Sequence, residues 1–179
     1  MSTEQFETLF HDDLKRYLLG LNEIDERLPK TPDIDELWSK IGKSFLNDGM
    51  REFQQYPTVP FGWCMYIGMA IAKYWDEDWE LYSQVDDLYV YLRDKIDFDH
   101  MDDYIRDKIL LLSTTEAERL QNIVGECGSR SYSLYRHLQL APSSTEAFYA
   151  FVAGLRTCYL MGAAMQLKRM GYRMVAMNG

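Results

Sequence analysis

Apolar residues recur along this chain at spacings of three and four, and almost nowhere in the strict alternation that a half-buried strand needs. The first stripe, Phe6, Leu9, Phe10, Leu14, Tyr17, Leu18 and Leu21, follows Ser2-x-x-Gln5, which has the form of a capping box. Pro29 and Pro32 interrupt the pattern, and Asp33-x-x-Glu36 opens a second helix carrying Ile34, Leu37, Trp38, Ile41, Phe45 and Phe53. Pro57 and Pro60 stop it, and a third, very apolar helix is predicted from about Phe61 to Trp75. The acidic run Asp76-Glu77-Asp78 suits the positive end of a fourth helix, with Leu81, Val85, Leu88, Leu92 and Ile96 inward. A shorter fifth helix follows Asp99, with Met101, Tyr104, Ile105, Ile109 and Leu112 inward. Thr115-x-x-Glu118 caps a sixth, and Ser143-x-x-Glu146, just after Pro142, caps the seventh.

The expected fold is an all-α single domain over residues 1–179, a bundle of about seven helices with mostly antiparallel neighbours. Small residues fall on every fourth position of two helices: Cys64, Gly68 and Ala72 on the third, and Ala150, Gly154, Cys158 and Gly162 on the seventh. Such stripes let backbones approach closely, so these two helices are expected to cross at the centre of the domain. A helix–helix dimer seam is the other use of such a stripe. Phe148 to Met165 approaches a membrane span in apolar length, but its central Arg156 and its small side chains favour a buried core helix.

Composition adds that 47% of the 179 residues are hydrophobic and 26% charged, the profile of an ordinary folded domain. Cys64, Cys127 and Cys158 lie too far apart to write a zinc knuckle, and an odd thiol fits a reducing compartment. The first residues lack the basic start and apolar stretch of a secretory signal, so a cytoplasmic location and no membrane partner are expected.

The net charge of −9 is unevenly placed. Residues 76–107 hold 12 acids and 3 Lys or Arg, while the first 75 residues sum to −4 and the last 72 to +4. An acidic face repels nucleic acid and attracts divalent cations or a basic partner. Solvated outer faces of the fourth and fifth helices are the simpler use of the same residues.

Chemistry-bearing motifs are few. Glu77-x-x-Glu80 places two carboxylates on one helical face, and Asp99, Asp102, Asp103 and Asp107 can present a second set on the following helix, opposed so as to hold Mg²⁺. Helical nucleotide pyrophosphatases use glutamate-rich elements of this kind, but here one glutamate is missing and the second element is aspartate throughout, so no family resemblance follows. His11, His100 and His137 are isolated, and no Gly-rich phosphate loop, nucleophile elbow or H-E-x-x-H motif occurs. Arg156 needs a partner if buried, either an acid of the fourth helix or an anionic ligand in a pocket. Lys73 poses a milder version of that question, because its stem reaches water more easily. Trp79 and Tyr82 belong to an aromatic-dense stretch that suits a ligand site or an interface. Met161, Met165, Met170, Met174 and Met177 suit either core filling or an adaptable contact surface.

The function these observations favour is a non-enzymatic binding or protein-interaction module, self-associating or with a protein partner, that needs no cofactor. The alternative is a Mg²⁺-dependent hydrolase of a phosphorylated small molecule, with Glu77, Glu80, Asp99 and Asp103 as ligands and Arg156 holding the anion.

Overall fold

The computed structural model describes residues 1–174, and among them it contains seven α-helices and no strand. They are α1 (Thr3–Gly20), α2 (Pro32–Gln55), α3 (Val59–Tyr82), α4 (Leu88–Lys95), α5 (Met101–Tyr104), α6 (Thr114–His137) and α7 (Thr145–Arg169). A π-helical turn, Ile105–Ile109, extends α5. The main apolar core draws on all seven, from Leu14 on α1 and Ile41 on α2 through Met101 on α5 to Leu155 on α7, and a second, smaller cluster joins Phe6 and Phe10 of α1 to Ala150 and Ala153 of α7.

The capping chemistry explains where each helix begins. Ser2 and Gln5 complete both halves of the capping box of α1. Elsewhere the caps shift by one or two residues from the expected positions. Thr31 caps α2 with Pro32 in its first turn, and Ser113 caps α6 by accepting from the Glu116 amide. Ser144, not Ser143, caps α7, because Ser143 takes a left-handed φ of 61° while Ser144 is extended, as a cap must be.

The largest departure lies between α3 and α4. Helix α3 continues through the acidic run to Tyr82, broken only at Asp78, whose φ of −165° and ψ of 78° leave the helical region. The Asp78 carboxylate accepts from the Leu81 amide, so the acidic run does start a helical turn, but a single one. Helix α4 starts only at Leu88, capped by Asp87, which accepts from the Tyr89 and Val90 amides. Leu81 is consequently 57% exposed and Ile96 48% exposed, rather than inward.

Helix direction follows from the contacts. Residues 6, 7 and 22 of the N-terminal region meet residues 150–153, 156 and 168 of α7 in ascending order, so α1 and α7 run parallel. Phe61 with Phe151 and Gly68 with Tyr159 and Ala163 make α3 parallel to α7 as well. The sequence neighbours α2 and α3 are antiparallel, as Asp33 with Trp75 and Phe53 with Phe61 show. So are α6 and α7, through Glu116 with Arg169 and Ser131 with Cys158.

The α3–α7 crossing is the most extensive helix contact among the described residues. A Cβ at Gly68 would fall on the Tyr159 carbonyl oxygen and 2.9 Å from the Ala163 amide nitrogen. A Cβ at Gly162 would likewise fall on the Met65 carbonyl oxygen and 2.8 Å from its carbon. Both clashes are with backbone, so the expected small-residue stripes are the centre of the fold, and glycine is required at both positions. Helix α7 is long and apolar enough to cross a membrane, and 72% of its most apolar window is buried in this bundle.

Candidate ligand-binding cleft

The opposite side of α7 is open. A cleft of about 720 Å³ lies between α1, the connection from α1 into α2, and the α7 positions that point away from α3. Helical periodicity builds its walls: Glu4, Glu7, His11 and Lys15 follow one face of α1, and Arg156, Leu160, Ala163, Ala164 and Leu167 follow one face of α7. The floor is apolar, formed by Ile34, Leu160, Met161 and the two alanines, while the rim is charged.

The connection from α1 to α2 closes the third side and is tied down at both ends. Asn22 turns the chain with a φ of 60° after α1, and Lys168 of α7 donates to its carbonyl oxygen at 3.0 Å and pairs with Asp25 at 3.0 Å. At the far end the buried Tyr159 hydroxyl donates to the Ile34 carbonyl at 2.7 Å. Glu26, Arg27, Lys30 and Asp35 therefore face α1 and α7 across the cleft.

Arg156 sits on the wall with its side chain 35% exposed and pairs with Glu7 of α1 at 3.2 Å. Its partner is thus an acid of the first helix, not one of the fourth. Lys15 pairs with Glu26 at 3.3 Å across the mouth. Asp35 accepts no side-chain or loop hydrogen bond among the described residues, and burial pushes its carboxyl above the usual aspartate range against the pull of Lys30 and Arg156.

The other expected site residues lie elsewhere. Trp79 and Tyr82 are half-buried in the last turn of α3, where Tyr82 stacks on Tyr74 at 4.2 Å, and neither lines the cleft. Glu77, Glu80, Asp99 and Asp103 are exposed, and Asp103 is engaged by Arg106. Among the described residues no group of three or more His, Cys, Asp or Glu is placed to hold a metal ion, so these four carboxylates do not converge. Ten of the twelve acids between residues 76 and 107 are exposed. Met161 and Met165 are core, Met174 reaches the cleft, and Met177 lies outside the described residues.

Arg106 is the buried cation that periodicity missed. Only 6% exposed, it donates to the Tyr66 hydroxyl at 2.7 Å, pairs with Asp102 at 3.4 Å and with Asp103, and lies against the Tyr66 ring. Burial pushes the Tyr66 hydroxyl up to about 12, against the pull of the guanidinium, so it stays neutral. Arg106 lies within the π-helical turn, and a lone arginine in a highly charged segment gives no sequence signal for its burial. Its donors are spent on the protein, which makes it a structural tie between α3 and α5.

No family model, curated protein or solved structure matches the chain.

Proposed function

We propose that this chain is a non-enzymatic binding protein whose ligand is a small molecule seated in the α1–α7 cleft. The observation that carries the reading is the cleft itself: an apolar floor under a rim of charged side chains, in the size range of small-molecule sites. The acidic surface from the end of α3 through α5 is, in the same reading, a contact for a basic protein partner or a second copy, supported by its solvent-facing charge. Free, buried Cys64, Cys127 and Cys158 suit a reducing compartment such as the cytoplasm.

The test is a fluorescence titration with 8-anilinonaphthalene-1-sulfonate, a probe with an apolar body and one charge. The native protein is expected to bind it saturably, and Leu160→Trp, which narrows the cleft from a partly exposed position, to lose that binding while keeping its helical circular dichroism. Unchanged binding by the folded variant overturns the assignment.

A further inference from the structure

The geometry points to a dipolar ligand for this cleft: a molecule with an anionic and a cationic group close together on an apolar body, the anion received by Arg156 and the cation by Asp35. This rests on the cleft being the ligand site. In a protein of net charge −9, the lining carries five carboxylates against four Lys or Arg side chains, so it is close to neutral, and Arg156 and Lys30 are near enough to act on Asp35 across it. A purely anionic ligand reaching Arg156 meets Glu7 and Asp35 beside it. A purely cationic ligand reaching Asp35 meets Arg156 and Lys30. A ligand with both charges meets each group with its opposite, and the attractions offset the repulsions that a single charge would face.

The two anchors are chemically ready for this. Arg156 uses one guanidinium nitrogen on Glu7, and the planar fork keeps further N–H donors for a ligand oxygen. Asp35 is half-buried at the start of α2 without a side-chain partner among the described residues, and burial disfavours its charged form. An ammonium group at this carboxylate adds the direct hydrogen-bonded partner that the through-space pull of Lys30 and Arg156 does not supply. The floor of Ile34, Leu160, Met161, Ala164 and Leu167 then takes the apolar body. The chemical class is that of amino acids with a large apolar side chain and of similar amphipathic zwitterions.

The test uses four indoles that share the ring and differ in the charged groups on its side chain: L-tryptophan with both groups, indole-3-propionate with the anion, tryptamine with the cation, and 3-ethylindole with neither. Each is titrated into the ¹⁵N-labelled full chain and followed through the amides of Lys30, Asp35, Arg156 and Thr157. Tryptophan is expected to shift these amides and to bind about tenfold or more tightly than either single-charge analogue, the scale of one charge-assisted hydrogen bond. Arg156→Gln is expected to erase its advantage over tryptamine, and Asp35→Asn its advantage over indole-3-propionate, each in a chain with native-like spectra. Equal affinity for tryptophan and a single-charge analogue overturns the dipolar assignment. Equal affinity for all four, with the same amides shifting, overturns it too but leaves the cleft as a binding site. No shift at the cleft with any indole overturns both.

Discussion

Helix α7 is treated in opposite ways on its two faces. Toward α3 it leaves no room for a methyl group at Gly68 or Gly162, and the contact there is backbone on backbone. Toward α1, barely a turn away, Arg156 and Leu160 open onto about 720 Å³ of space rimmed by charge. The tight face fixes α7 by steric exclusion, which is rigid and insensitive to salt or pH. The open face is held by Arg156–Glu7 and Lys15–Glu26, pairs that are partly exposed and contribute little to stability. A rigid helix thus presents an adaptable wall, an arrangement that lets binding groups be charged and incompletely partnered without loosening the fold.

Adding a single carbon at the closed face has the largest expected effect. Gly68→Ala and Gly162→Ala force backbone apart and are expected to cost about 3 kcal/mol or more, the upper end for overpacking, read as a lower midpoint of urea unfolding. Removing Arg106 comes next: Arg106→Met strands the buried Tyr66 hydroxyl and Asp102 and is expected to cost about 2 kcal/mol by the same measurement. A glycine outside both regions reverses the sign. Nothing lies within 4 Å of a Cβ at Gly125, on the exposed side of α6, so Gly125→Ala is expected to gain up to about 1 kcal/mol. The open face is expected to be quieter still, with Arg156→Gln changing stability by less than about 1 kcal/mol.

Asp35 adds a pH signature to the open face. Its folded-state carboxyl is raised above the unfolded value, so the folded chain binds the proton more tightly and ionisation of Asp35 opposes folding as pH rises through that window. Asp35→Asn is therefore expected to be more stable than the native protein at neutral pH, and this advantage is expected to fade as pH falls below the ordinary aspartate range. Chemical unfolding of both proteins across pH reads the difference directly. A native protein equal to or more stable than Asp35→Asn at neutral pH contradicts the assignment of burial as the dominant influence.

The closed face was legible in the sequence because its determinant is local. Four-residue spacing of Cys64, Gly68 and Ala72, and of Ala150, Gly154, Cys158 and Gly162, is visible without knowing any partner. The open face was legible only as one anomaly, Arg156 in an apolar helix. Its partner Glu7 lies 149 residues away, and Asp35 acquires meaning only when α2 closes the third side. The boundary between α3 and α4 was misplaced for a related reason. Asp76-Glu77-Asp78 has the composition of a helix start, yet the apolar face of α3 carries the chain through it, and only Asp78 departs from the helix. Arg106 gave no signal, since its place is set by Tyr66 of α3, 40 residues away in the chain.

The measurement that tests the two-faced account most directly compares added side-chain volume two residues apart on α7. Gly162→Ala puts one carbon into the closed face, and Leu160→Trp enlarges a partly exposed side chain that lines the cleft. Urea unfolding of the two variants is predicted to show a loss of about 3 kcal/mol or more for the first and under about 1 kcal/mol for the second. Equal losses, or a larger loss for Leu160→Trp, contradict the account.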